Sequence, residues 1–241
     1  MNRFFADAAD ICCGEIRLSK EAAAHMRSLR LRPAELFVVC DGEGMDYVCH
    51  LGSKDGGTVA EIVEIMPTSG EPNVFCTAYL AFAKGDRLDY AVQKSVELGA
   101  RAIVLFRSER CIAFPADIDK KTARYQRIAL EAAQQCGRGR IPSVTAEASF
   151  KETAAQAAKA ELPLFFYECE TERRLRSALE SRLDAATISI VTGPEGGFED
   201  SEAELASSLG MLSVTLGPRI LRCETAPIAA LAAVMYHTEN L

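Results

Sequence analysis

Two glycine-bearing turns near the carboxyl end of the chain hold the residues best suited to chemistry. They are Thr192-Gly193-Pro194-Glu195-Gly196-Gly197-Phe198 and Leu216-Gly217-Pro218-Arg219-Ile220-Leu221-Arg222-Cys223-Glu224-Thr225. Glycine lets backbone approach a ligand where a Cβ would block it. Neither turn contains Gly-x-x-x-x-Gly-Lys, and neither matches Gly-x-Gly-x-x-Gly, so neither a nucleoside-triphosphate loop nor a dinucleotide fold is supported. A ligand without phosphates that needs close backbone contact fits better. Arg222 and Glu224 stand where a last helix should begin, followed by Pro227. A carboxylate and a proline both suit a first helical turn. The same guanidinium and carboxylate beside a pocket could instead orient a substrate or handle a proton. A third segment, Gln134-Gln135-Cys136-Gly137-Arg138-Gly139-Arg140-Ile141-Pro142, reads either as a basic helix end or as a phosphate clamp on nucleic acid.

Each turn follows a short apolar run, Ile188 to Thr192 and Leu212 to Thr215, and ligand crevices of open α/β sheets lie beyond the carboxyl ends of strands. The elements needed to place them there run through the second part of the chain. Pro67 to Asn73 is the clearest linker. After it come an apolar strand over Val74 to Ala83, a helix capped by Asp86 and ended by Gly99, and a strand over Ala102 to Phe106. Helices follow over 117–136, 150–160, 171–183, 200–209 and 225–238, with a strand over 162–167. This alternation predicts a mostly parallel sheet covered by helices on both faces. Before the linker come one helix over Lys20 to Ser28 and short strands at 36–40, 47–51 and 58–65. Turns lie at Asp41-Gly42-Glu43-Gly44 and Lys54-Asp55-Gly56-Gly57. That spacing predicts a small barrel.

Hydrophobic residues at 49% with 25% charged residues suit a globular chain that buries a real core. No apolar run reaches the length of a membrane span, and acidic residues arrive too early at the amino end for a signal peptide. Nine scattered cysteines without a Cys-x-x-Cys pair, and three distant histidines, predict no metal site. They read as small core residues in a reducing cytoplasm. The net charge of −7 argues against nucleic acid, but residues 71–150 carry 12 basic and 9 acidic groups. A basic face on an acidic protein is therefore open.

Taken together, these motifs resemble a known family. Lys84-Gly85-Asp86-Arg87 leading into Gln93-Lys94-Ser95-Val96-Glu97-Leu98-Gly99, then Ser108-Glu109-Arg110-Cys111, the 134–142 segment and both glycine turns occur in order over nearly the whole chain. This set is similar to the small-subunit (16S) ribosomal RNA uracil-N3 methyltransferases of the SPOUT superfamily. The resemblance implies a PUA-like, RNA-binding small β-barrel at 1–70 and a SPOUT α/β domain at 74–241. The latter would carry a C-terminal trefoil knot around S-adenosylmethionine. It implies a cytoplasmic homodimer that methylates N3 of one uridine in 16S ribosomal RNA or the small subunit, with no metal and no membrane. Another rRNA or tRNA nucleotide as target, or a non-catalytic RNA-binding homodimer, are the competing readings.

Arg222 and Glu224 are implied as catalytic. Phe166, Tyr167, Thr192, Gly193, Glu195, Gly196, Gly197, Leu216, Gly217, Ile220 and Leu221 are implied to hold the cofactor. Arg3, Arg27, Arg30, Arg138 and Arg140 are implied to contact RNA, and Arg32 joins them as a candidate. One departure stands out: Cys223 replaces the threonine usual in the family, and a thiol is a weak donor.

Overall fold

The structure is a computed structural model that describes residues 1–32, 34–54 and 57–241. The chain divides into two compact units, one holding Met1–Glu71 with Ala133–Ile141 and the other holding Pro72–Ala132 with Pro142–Leu241.

The first unit contains β1 (Arg3–Phe5), β2 (Ile11–Cys12), β3 (Glu15–Arg17), α1 (Lys20–Ser28), β4 (Phe37–Cys40), β5 (Met45–Lys54) and β6 (Gly57–Pro67). Its strands form one sheet in the order β1-β4-β5-β6-β3-β2, antiparallel except for the β1–β4 pair. The expected closed barrel is not seen among the described residues. Closure would need a ladder between the edge strands β1 and β2, which offer only three and two residues. Ser19 starts α1 by accepting a hydrogen bond from the Ala22 amide at 3.0 Å, and Met26 drops into a core of Phe4, Ile16, Phe37, Val39, Cys49 and Ala60. Asp55 and Gly56 of the expected Lys54-Asp55-Gly56-Gly57 turn lie outside the described residues.

The second unit is an α/β assembly. Its strands are β7 (Phe75–Ala81), β8 (Ala102–Phe106), β9 (Ser143–Glu147), β10 (Leu162–Phe166), β11 (Thr187–Thr192) and β12 (Leu212–Val214). They form a wholly parallel sheet in the order β12-β10-β11-β7-β8-β9. Near-continuous apolar runs such as Ile188 to Val191 suit strands buried on both faces. The helices are α2 (Arg87–Glu97), α3 (Ile118–Cys136), α4 (Phe150–Ala157), α5 (Leu175–Glu180), α6 (Asp200–Ser208) and α7 (Thr225–His237). Asp86 occupies the N-cap of α2 but makes no side-chain cap bond, and α5 is much shorter than the predicted 171–183. β9 has no counterpart in the sequence reading, because Ser143-Val144-Thr145-Ala146-Glu147 is too polar to announce a strand.

Strand order places β11 between β7 and β10, so successive strands β7 and β8 run outward on one side while β10 begins on the other. That is a topological switch point, where parallel sheets open a crevice at their carboxyl edge. Both glycine turns leave the sheet at that edge.

Candidate active site

The carboxyl ends of β10, β11 and β12 open into one broad groove of about 1970 Å³, well above the 300–1,000 Å³ of a typical small-molecule pocket. Its walls are Phe166 to Glu168 after β10, Gly193 to Gly197 after β11, and Val214 to Glu224 after β12, with Ala226, Ala229 and Ala233 of α7. Ten of the eleven residues expected to hold a cofactor line it. Thr192 does not: it is buried, its hydroxyl donates to the Tyr79 carbonyl at 3.4 Å, and it faces a water-sized cavity behind Cys223. Period-two alternation turns this strand residue inward.

The first turn is shaped mainly by the protein itself. A Cβ on Gly193 would lie 2.9 Å from the Phe198 ring, and one on Gly196 would lie 3.0 Å from the Arg110 Cβ. At Gly197, where φ is +70°, a Cβ would collide with Glu168 Oε1. The Glu168 carboxylate accepts a hydrogen bond from the Phe198 amide at 2.9 Å. Phe198 packs its ring 4.5 Å from Phe165 and 5.4 Å from Phe150, which pins the turn to the core. These glycines therefore admit neighbouring side chains, where the sequence reading expected them to admit a ligand. Gly217 is different: its φ is +111° and nothing lies within 4 Å of its missing Cβ.

A second tether comes from the loop after β8. Glu202 accepts from the Ser108 hydroxyl and the Glu109 amide, both at 3.1 Å, and from the Glu199 amide at 2.9 Å. Arg110 then reaches the Glu199 carboxylate at 2.8 Å and the Gly196 carbonyl at 3.2 Å. The Ser108-Glu109-Arg110 motif thus holds the glycine turn from outside.

The charged centre of the groove involves Arg87, a residue the sequence reading gave no role. Arg87 donates to Glu195 Oε1 at 2.7 Å and stands 4.0 Å from Glu224 Oε2, while the Lys84 amide donates to the same Glu195 oxygen at 2.9 Å. Burial pushes the Glu195 carboxyl up, but the Lys84 amide and the Arg87 guanidinium outweigh it and hold it below the usual carboxylate range. Glu195 Oε2 is buried without a hydrogen-bond partner among the described residues. Cys223 donates its thiol to Glu224 Oε2 at 3.2 Å. Burial, and then that bond, raise the thiol to about 12, so it stays protonated and supplies a weak donor where a hydroxyl would supply a stronger one. Arg222 is exposed and makes no side-chain hydrogen bond or ion pair among the described residues. The signal that could have found Arg87 was its place at the start of α2, beside the switch point.

The expected RNA contacts lie in the first unit and fall into two groups. Arg27 and Arg30 are exposed around the end of α1. Arg138 and Arg3, by contrast, hold their guanidinia in ion pairs within the unit. The Arg138 side chain is 3% exposed, and its guanidinium lies on Glu71 at 2.8 Å. Glu71 also accepts from the Gly139 and Arg140 amides, each at 3.0 Å. Arg3 makes a two-point ion pair with Asp46 at 2.7 and 2.8 Å. Arg140 is half-buried and donates to the Glu43 carbonyl at 2.6 Å. Burying a guanidinium requires a partner, and sequence spacing does not reveal which arginines have found one. The cysteines divide in a similar way: Cys40, Cys49 and Cys76 are core residues as expected, whereas Cys12, Cys13, Cys136 and Cys169 are exposed.

A family model described as an RNA methyltransferase domain matches residues 71–235. The chain is 32% identical to the ribosomal RNA small subunit methyltransferase E of Bacillus subtilis, covering 88% of this chain and 86% of that protein. It is 35% identical to the Synechocystis protein of the same name, over 86% and 68%. Among solved structures, the Neisseria gonorrhoeae ribosomal RNA small subunit methyltransferase E bound to S-adenosyl methionine superposes with a TM-score of 0.85. Its identity is 32%, and the match covers 98% of this chain and 97% of that one.

Proposed function

Because the chain belongs to the ribosomal RNA small subunit methyltransferase E family, we propose that it methylates N3 of a uridine in 16S ribosomal RNA with S-adenosylmethionine. The observation that carries the reading is the convergence of three strand ends on one groove with Arg222, Glu224, Glu195 and Arg87 at its charged end.

The groove suits the cofactor. Its floor is apolar, through Phe166, Val214 and Leu221, and its walls offer the backbone of 193–197 and 215–221. Gly217 leaves open space. The partnerless Glu195 oxygen suits a cationic group. When bound, S-adenosylmethionine supplies an already activated methyl group, so the protein's main task is alignment. The acceptor is the harder partner, because uridine N3 carries a proton at neutral pH and is normally base-paired. The target base must therefore be unpaired or flipped out. Arg222, with its guanidinium free, stabilises negative charge developing on N3 and its flanking carbonyls. Glu224 accepts the proton or fixes the base. Arg87 holds Glu195 in place and stands 4.0 Å from Glu224.

A homodimer, a trefoil knot formed by the segments after β11 and β12, a PUA-like role for the first unit and a cytoplasmic setting complete this reading. The composition of α7 supports the homodimer: beside its buried face, the groove-lining Ala229 and Ala233 and the 74% exposed Tyr236 leave that helix apolar on most sides, as expected of a helix with a further partner. Arg27 and Arg30 are the arginines best placed to contact RNA phosphates.

The test is mass spectrometry of 16S ribosomal RNA nucleosides from a strain lacking the protein, with in vitro transfer from labelled S-adenosylmethionine. Loss of N3-methyluridine and its restoration by the purified chain are expected. A different lost nucleotide would redirect the assignment, and binding of RNA without any transfer would leave a non-catalytic binder.

A further inference from the structure

Two of the exposed cysteines are adjacent in sequence. Cys12 ends β2 and pairs with Glu15, so Cys13 and Gly14 are the two central residues of the β2–β3 hairpin turn. Their φ angles of 54° and 82° are those of the mirror-image turn that two-residue hairpins favour. The turn is held on the sheet by the Ile62 amide, which donates to the Gly14 carbonyl at 2.9 Å. In this setting the two sulfur atoms lie 3.1 Å apart, and both side chains are exposed. Lys54 and Glu15, bonded to each other at 2.7 Å, supply the nearest charges of either sign.

The sulfur separation selects among thiophilic partners. With metal–sulfur bonds of about 2.3 Å, a tetrahedral centre spreads two sulfurs to about 3.8 Å and a linear one to about 4.6 Å. A pyramidal centre with angles near 90° needs about 3.3 Å at the same bond length. The observed separation lies nearest the pyramidal case. No group of three or more His, Cys, Asp or Glu side chains able to hold a metal exists among the described residues, so the third position must belong to the ligand.

We propose that Cys12 and Cys13 form a two-point site for a three-coordinate trivalent thiophilic centre, the matching class being a monosubstituted trivalent arsenical. With an arsine oxide, binding replaces the arsenic–oxygen double bond by two As–S bonds. Both thiol protons leave with the one oxygen as a single water, and no atom changes oxidation state. The site lies in the first unit and does not depend on the methyltransferase reading.

The probe is phenylarsine oxide, titrated into the reduced full-length protein and followed by intact mass spectrometry in the presence of excess 2-mercaptoethanol. One adduct per chain is expected, resistant to the monothiol and removed by 2,3-dimercaptopropanol. Cys12→Ser and Cys13→Ser should each weaken retention at least tenfold, whereas the Cys136→Ser, Cys169→Ser double variant should keep it. Tryptic mapping of the unmutated protein should place the arsenic on the peptide Phe4 to Arg17, a readout that does not depend on how the variants fold. No monothiol-resistant adduct, an adduct on another peptide, or full retention in either single variant would overturn the site.

Discussion

Arg138→Ala distinguishes a structural arginine from an RNA contact. The side chain is 3% exposed and its Nε and terminal nitrogen meet the Glu71 carboxylate at 3.3 and 2.8 Å. Removing one member of a buried pair costs about 3–5 kcal/mol, because the other charge stays behind. Glu71 keeps two backbone donors, from Gly139 and Arg140, and its side chain is 17% exposed, so the lower end, about 3 kcal/mol, is expected. For a chain of this size each kcal/mol shifts the midpoint by about 2–4 °C, which gives a fall of about 6–12 °C. Arg27→Ala, at an exposed position, should leave the midpoint nearly unchanged. Its effect should appear in RNA binding, where each lost phosphate contact flattens the slope of log K against log salt by about 0.7–0.9. Thermal unfolding and filter binding to small-subunit RNA at several salt concentrations measure both. An Arg138→Ala protein with an unchanged midpoint and a flattened slope would refute the structural assignment.

Other perturbations follow from the same contacts. Gly197→Ala forces a side chain into the left-handed region, at about 1–2 kcal/mol. It also displaces Glu168 from the Phe198 amide at about 1 kcal/mol more, so thermal unfolding should register a loss of about 2–3 kcal/mol. Arg222→Ala should lower kcat about 10²–10³-fold with little change in cofactor affinity by calorimetry; full turnover would remove Arg222 from the mechanism. Arg87→Gln should release Glu195 and shift the pH profile of kcat, whereas a purely structural role would change stability alone. For Asp46, burial raises the carboxyl, but hydrogen bonds from Arg3, Cys40 and Thr68 outweigh it and leave its pKa below the ordinary value of 3.8. Its stabilising effect is therefore present above about pH 4 and lost as pH falls through the folded-state value. Asp46→Asn should flatten that acid limb of a stability–pH curve.

Much of the architecture was legible because it rests on local pattern. The strand at Ala102–Phe106 and the helix at Lys20–Ser28 appear with the bounds that their apolar spacing predicts, and the parallel sheet follows from alternation alone. The carboxyl-edge location of both glycine turns was legible too, since each follows an apolar run that could only be a buried strand. Strand order was not, because nothing local states that β11 lies between β7 and β10. That insertion brings Lys84 and Arg87 against Glu195, and so decides the charged centre of the groove. The sequence could equally not say what each glycine makes room for. Gly193, Gly196 and Gly197 yield to Phe198, Arg110 and Glu168, and only Gly217 opens to the groove. Nor could it divide exposed arginines from buried ones, since pairing Arg138 with Glu71 joins residues 67 positions apart. Local spacing determines which residues can form an element and which face they share. Long-range packing decides which charges meet, and with them the chemistry of the site.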